Sequence, residues 1–327
     1  MNKITHSIIL IALLLTGCKK ETIKSAATNN APKPSIEWFK YHIGNSALPN
    51  NQVNAIVIDK NDIKWLGTSN GLVKIDGDKW TVFNTSNTRL PSSNIRAIAL
   101  GNEGALWVGT DQGLVHYKDN QWTAYTSKNS VLTTNSITCI TYNVLNKTTW
   151  IGTDEGIVKI DKDNNWHYIF VNELVLSITT DGAGNLWTGV FNPYSFVGKI
   201  KRYANGNWTT YNLAEMDYPS SFPYALAADD NGHIFAVLSG TAVQSLIKYN
   251  GNSWQEVERP EKARGLKSIL LDKGKIWVGG NNLSFFGNRQ TECLTIPDGG
   301  FIQSMAKDSK GKKWLGTLTG LVALSGF

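Results

Sequence analysis

Any chemistry performed by this chain would have to come from five histidines, three cysteines, a scatter of serines and a recurring aspartate turn. No two of His6, His42, His116, His167 and His233 stand at the close spacing of a metal-ligating pair. Asp59-Lys60-Asn61-Asp62, Asp181-Gly182-Ala183-Gly184 and Asp229-Asp230-Asn231-Gly232 invite comparison with calcium loops. They lack the alternating ligand series and terminal glutamate of an EF-hand, and their recurrence at matched places reads as a hairpin turn. Cys139 and Cys293 sit in different repeats and are expected to be unpaired buried thiols. Ser177, Ser268 and Ser304 have no histidine or aspartate partner at hand, so a nucleophile is not expected among them. No catalytic set, metal site or cofactor is therefore expected. What remains is recognition. Phe191, Pro193, Tyr194 and Phe196 are followed by a second aromatic group, Tyr218, Phe222 and Tyr224. Such faces stack on sugars or apolar ligands, or else merely pack two long loops on each other.

The elements that position these residues are written in three columns. Trp65, Trp107, Trp150, Trp187, Phe235, Trp277 and Trp314 recur at intervals of 42, 43, 37, 48, 42 and 37 residues, mostly as Trp-x-Gly-Thr. A period near forty is that of propeller blades. A second column holds Trp38, Trp80, Trp122, Trp166, Trp208 and Trp254, with Gln290 in the seventh place and Cys293 three residues after it. A third holds only small residues: Ala55, Ala97, Cys139, Ser177, Ala225, Ser268 and Ser304. Small residues followed by a large aliphatic suit the innermost strand, where blades converge. Each unit thus supplies four short strands, and no unit can bury both faces alone, so neighbours must stack. The last unit ends one strand short, and Trp38-Phe39-Lys40-Tyr41 supplies the missing register. The expected fold is all-β: a seven-bladed β-propeller of four-stranded blades over 36–327, its ring closed by an N-terminal strand that completes the C-terminal blade.

This frame locates the candidate site. The residues just before the small column are Asn54, Arg96, Thr138, Leu176, Tyr224, Lys267 and Gln303, a varied ring at the start of each innermost strand. The ring is placed to line the channel mouth with hydrogen-bonding groups, although a solvated rim would vary in the same way. From anchor to strand-three exit the distance is 10 residues in blades one to three, but 16 in blade four and 14 in blade five, while the linker into blade four is six residues shorter than the usual 17. Both irregularities belong on the face where interblade linkers emerge. The candidate ligand contacts are accordingly Arg96, Lys267 and Gln303 for hydrogen bonding and Tyr194, Phe196, Phe222 and Tyr224 for stacking.

Charge and the N-terminus give an address. The net charge is +6, but five lysines and one glutamate precede residue 36, leaving 27 basic and 25 acidic side chains in the body. That near-neutral body has no electrostatic footprint for nucleic acid. Lys3 and His6 precede the apolar run Ile8 to Leu15, which ends in Leu15-Thr16-Gly17-Cys18. This is the pattern of a secretory signal, too short to span a hydrocarbon core of ~30 Å. Leu-Thr-Gly-Cys resembles the bacterial lipobox, where cleavage precedes a cysteine whose thiol is lipidated; an ordinary signal containing a cysteine is the alternative. The resemblance implies a lipoprotein signal peptide over 1–17, lipidation at Cys18 and a flexible tether over 18–35. The partner of that segment would be the membrane, with each buried CH2 of the anchor contributing about 0.8 kcal/mol. Lys19-Lys20-Glu21 resembles the charged surface-export signals of Bacteroidetes lipoproteins, so the expected location is the outer membrane, on its periplasmic or surface side.

Leu48-Pro49-Asn50-Asn51-Gln52-Val53-Asn54-Ala55-Ile56 followed by Trp65-Leu66-Gly67-Thr68-Ser69-Asn70-Gly71-Leu72, repeated from Leu90-Pro91 to Gly113-Leu114, closely resembles the two-component regulator propeller repeat. The likeness runs over 36–327, strongest in blades one to three and seven. Members of that family often form periplasmic glycan-sensing domains of hybrid histidine kinases in Bacteroidetes. This chain departs from that plan, with no second propeller, immunoglobulin-like connector, spanning helix or kinase, so signalling in cis is not expected. The resemblance implies a lipid-anchored extracytoplasmic module that binds or scaffolds a glycan, peptide or protein ligand. The alternative is a propeller enzyme of lyase or lactonase type, similar in shape to virginiamycin B lyase. Such lyases use a His and Glu pair near the axis, for which the sequence offers no convergent equivalent.

Overall fold

The computed structural model describes residues 21–24, 36–170, 172–240, 244–259, 262–287 and 290–326. Cys18 and the apolar run before it lie outside the described residues. Seven antiparallel sheets of four strands form the ring expected of a propeller. Blade one consists of Val53–Ile58, Lys64–Thr68, Gly71–Asp76 and Lys79–Phe83. The closing blade is assembled from both ends of the ring: Ile302–Lys307, Lys313–Thr317 and Gly320–Ser325, then Glu37–Tyr41 as the fourth strand. Trp38 lies opposite Leu324 and Tyr41 opposite Leu321, as the column register requires. A fifth strand, Glu21–Lys24, pairs outside Glu37–Tyr41. Those four residues depart from the expected tether; the open edge of the closing strand offers unpaired backbone groups that a preceding segment can satisfy.

The core is a ring too. Buried side chains fall into seven clusters, one between each pair of neighbouring blades. Each anchor aromatic crosses to the next blade: Trp65 packs with Leu90, Ile95 and Val108, and Trp107 meets Trp166 edge-on at 6.0 Å. At the closure, Tyr41 stacks on Trp314 at 6.2 Å and reaches Trp80 of blade one at 5.4 Å.

The repeat motif is explained by these contacts. A Cβ on Gly67 would come within 2.7 Å of Ile95 Cγ2, so the anchor glycine is what lets the next blade approach. Thr68 Oγ1 donates to the Gly71 carbonyl at 2.7 Å, and Gly71 has φ of +138°, which a side chain would strain. The threonines of three other blades, Thr110, Thr153 and Thr317, close the same hairpin. The aspartate turns are structural as well. Asp181 Oδ1 accepts from the backbone N–H groups of Ala183 and Asn185, while its Oδ2 accepts from the Trp187 indole at 2.9 Å. Asp308 does the same for Trp314.

One register expectation fails. In blade six Thr291 stands opposite Phe286, as Trp80 stands opposite Ile75, and Leu294 stands opposite Leu283, as Phe83 stands opposite Leu72. Thr291 and Leu294, not Gln290 and Cys293, therefore hold the outer-column places. The cause is the place of Gly287, which pairs with Gln290 as Asp76 pairs with Lys79 and so holds the position of Asp76, not that of the turn residue Gly77; the hairpin is one residue shorter here, not two.

Candidate functional site

All seven small-column residues pair with the anchor-glycine position of the adjacent strand, for example Ala55 with Gly67 and Ala225 with Val237. Immediately before them, in six blades, the register slips at a β-bulge. The slipped residues are Asn54, Arg96, Thr138, Leu176, Tyr224 and Gln303. A bulged residue drops out of the ladder and its side chain is re-aimed, which is why bulges collect at barrel rims and binding sites. In blade six Lys267 takes the corresponding place just before the innermost strand, its N–H donating to Gly279 at 2.8 Å.

The seven residues converge at the axis. Together with Gln52, Asn94, Leu174 and Val175 they line a cavity of about 610 Å³ at the linker-face mouth. It adjoins a second cleft of about 460 Å³ that shares Tyr224, Lys267 and Gln303 and adds Phe301 and Leu318. Several lining groups are fixed by their neighbours. Asn54 Nδ2 donates to the Ile95 carbonyl at 2.8 Å, Gln52 Nε2 donates to Asn54 Oδ1 at 3.0 Å, and Arg96 donates to Ser136 Oγ at 2.8 Å. Lys267 Nζ lies over the Tyr224 ring, 3.6 Å from its centroid. Burial pushes the Lys267 ammonium down to about 8. Among the lining residues of the mouth Arg96 and Lys267 are the charged ones; behind them the Asp111 carboxylate accepts from Asn94 Nδ2 at 3.2 Å and lies within electrostatic reach of Arg96. The lining itself therefore carries positive side chains at two places and is rich in amide donors and acceptors.

The aromatic candidates divide. Tyr224 lines the mouth. Phe222 sits next to it at 6.1 Å and meets Phe191 edge-on at 4.4 Å, and Phe191 meets Phe196 at 6.0 Å. Phe196 and Tyr194 stay at the tip of the blade-four hairpin, 64% and 95% exposed, and do not line the cavity. The inserted residues are mostly strand rather than loop: blade four has Leu186–Asn192 and Val197–Ala204 as its second and third strands, against five and six residues in blade one. A lengthened hairpin thus stands at the linker face and leans through Phe191 on Phe222, in the innermost strand of blade five, Ser221–Ala228. Phe191 and Phe222 pack on each other, while Tyr194 and Phe196 are left largely to solvent.

The histidines are scattered. His42 Nδ1 accepts from the Gly44 N–H, His116 lies on Trp107 at 4.4 Å, and His167 and His233 sit beside Asp161 and Asp229 of their own turns. Burial, then Lys118, holds the His116 imidazole below its ordinary value. Cys139 and Cys293 are unpaired and half-buried; burial pushes the Cys139 thiol up to about 12, which makes it inert. Gln52 and Asn94 were not singled out from sequence. Each stands two residues before its ring member, a same-face spacing that points to them once the ring is known.

Residues 89–112 match the family model described as two component regulator propeller, so the resemblance carried by the repeat is borne out. No curated protein matches the sequence. Solved structures share the fold. Virginiamycin B lyase from Staphylococcus aureus aligns at 14% identity and TM-score 0.73 over 89% of this chain and 99% of that one. The extracellular domain of the hybrid two component system BT3049 from B. thetaiotaomicron aligns at 21% identity and TM-score 0.70, over 88% of this chain but 43% of its own. YCF48, bound to D1 peptide, aligns at 13% identity and TM-score 0.67 over 92% and 99%.

Proposed function

We propose that this propeller of two-component regulator repeats is a binding module, not an enzyme, and that it takes a glycan or peptide ligand at the axial mouth of its linker face. The observation that carries the reading is the bulge ring. Six blades spend a ladder position to aim one side chain each at a shared cavity, and Lys267 joins them from the seventh. Repetition of a strand irregularity at the axis is hard to account for by packing, since none of the seven is needed to fill a blade interface. The chemistry of the ring favours a ligand rich in hydroxyl, carbonyl or carboxylate oxygens. Arg96, Lys267 and the side-chain amides supply donors, and the Tyr224 face supplies stacking area. The exposed Tyr194 and Phe196, linked to Tyr224 through Phe191 and Phe222, would extend recognition to a longer chain lying across blades four and five.

The lyase or lactonase reading draws on the shape shared with virginiamycin B lyase. It is disfavoured here because the lining residues include no general acid or base pair. Lipidation at Cys18 and residence in the outer membrane complete the proposal, on the strength of the lipobox pattern.

The test is a glycan and peptide array probed with the parent protein, Tyr224→Ala and Tyr194→Ala, each checked for an unchanged melting temperature. Losing one stacking face of about 0.5–1.5 kcal/mol should weaken binding roughly 2- to 12-fold. Tyr224→Ala should show it for every ligand, and Tyr194→Ala only for extended ones. A ligand held equally well by Tyr224→Ala would place the site elsewhere, and a chemically altered ligand, seen by mass spectrometry, would favour the enzyme.

A further inference from the structure

The polar groups of the axial mouth are not equally free. On the side of blades one and two they are engaged within the protein: Gln52 with Asn54, Asn54 with the Ile95 carbonyl, Asn94 with Asp111 and Arg96 with Ser136. On the side of blades five to seven they are not. Among the described residues, the Ser239 hydroxyl, the Lys267 ammonium and the Gln303 amide have no hydrogen-bond or ion-pair partner. All three line the cleft of about 460 Å³ that opens off the mouth, and Lys267 and Gln303 belong to both spaces.

Lys267 is the group furthest from balance. Its ammonium is withdrawn from water far enough for burial to hold it below the ordinary lysine range. Its one close neighbour among the described residues is the face of the Tyr224 ring. A ring face recovers part of a cation's lost hydration; an anion at hydrogen-bond distance is the stronger partner for a cation so withdrawn. Apart from Gly265, the rest of the cleft wall is aromatic or aliphatic: Tyr224, Leu266, Phe301 and Leu318. Leu266 is buried between blades five and six, but Phe301 is only half-buried and Leu318 is 44% exposed. The Leu318 N–H donates to the Phe301 carbonyl at 3.1 Å, which holds these two open apolar groups together.

We infer that this junction receives the free C-terminus of a peptide whose last side chain is aromatic or aliphatic, the terminal carboxylate at Lys267 and Gln303 and the side chain against Phe301 and Leu318. The inference rests on the axial mouth being the ligand site, and it narrows what enters there. In a C-terminal residue the carboxylate and the side chain leave the same Cα, which matches a cation and an apolar wall that share one cleft. An acidic side chain within a peptide has no apolar group on its own Cα, and successive side chains of an extended strand point to opposite faces. A uronate brings the charge but no apolar substituent for Phe301 and Leu318.

The experiment titrates the whole folded protein by calorimetry with acetyl-Gly-Gly-Phe as the free acid, the same peptide as its C-terminal amide, acetyl-Gly-Gly-Ser and trigalacturonic acid. The free acid ending in phenylalanine should bind saturably. The amide should bind at least about tenfold more weakly through loss of a charge-assisted contact, and the serine peptide at least about tenfold more weakly through loss of apolar burial. Lys267→Met, which keeps the length of the side chain without its charge, should bind acid and amide alike at an unchanged melting temperature. Leu318→Ser, at an exposed position, should narrow the gap between the phenylalanine and serine peptides. Should Lys267→Met lose its fold, the acid-to-amide ratio of the parent decides alone. Equal binding of acid and amide by the parent, or a preference for the acid that survives in Lys267→Met, overturns the inference. If the free acid does not bind but trigalacturonic acid or an array ligand does, with loss in Tyr224→Ala, the inference is overturned and the reading of the mouth stands. If no ligand depends on Tyr224, both fail.

Discussion

Truncating Trp38 to alanine should unfasten the ring. The indole is 5% exposed and belongs to the cluster between blades six and seven, with Trp277, Leu283, Phe285, Leu315 and Leu324 around it. Its strand is joined to Gly320–Ser325 by backbone pairing and side-chain packing, with no short covalent link, the chain between them running around the whole propeller. Burial of ~200 Å² of aromatic surface at about 25 cal/mol per Å² gives about 5 kcal/mol, and core Phe or Trp to Ala changes cost about 3–5 kcal/mol. At about 2–4 °C per kcal/mol for a large domain, the melting temperature should fall by roughly 6–20 °C. Differential scanning fluorimetry reads the shift. A parallel pair of cysteines, at Phe39 and its register partner Ala323, should crosslink under mild oxidation, because the two positions face each other only in the closed ring. A fall below ~2 °C for Trp38→Ala, together with no crosslink, would refute the closure.

Gly67→Ala should destabilise by about 1–3 kcal/mol through overpacking against Ile95, measured by urea unfolding. Asp181→Ala leaves the Trp187 indole and two amides without their acceptor, so a loss of about 1–3 kcal/mol is expected on the same assay. Lys267, with its ammonium pushed down to about 8, should be mostly charged at pH 7 and mostly neutral at pH 9. The sign follows: affinity for an anionic ligand at the mouth falls across that window, whereas a neutral ligand shows no such step, as fluorescence titration would reveal. Cys18→Ser should abolish metabolic palmitate labelling; persistent labelling would overturn the lipid anchor.

The blades were legible because each column answers a different packing demand: small at Ala55, crossing aromatic at Trp65, glycine at Gly67. The closing strand was legible for the same reason, Trp38 and Tyr41 having the outer-column register with no third strand of their own before them. Blade six misled because its outer column has no tryptophan to mark it, and Gly287 invites a match to the turn glycine Gly77 although it pairs with Gln290 as Asp76 pairs with Lys79, which moves the column one place, from Gln290 to Thr291. At the site, the ring was legible as a position, but not its cause: alternation does not reveal a bulge, which comes from how Val53 and Ala55 pair with the neighbouring strand. Tyr194 and Tyr224 were alike in sequence, and only the lengthened hairpin of blade four separates them, carrying one to an exposed tip while the bulge turns the other to the axis.

The most direct test of the bulge ring as a ligand site is a crystal structure of the protein with an array-identified glycan or peptide. Ligand density in the axial mouth, within contact of Tyr224 and Lys267 and within hydrogen-bond reach of Arg96 or Gln303, is the predicted result. Density seated wholly on the outer strands or on the opposite face, with the mouth filled by water, would contradict it.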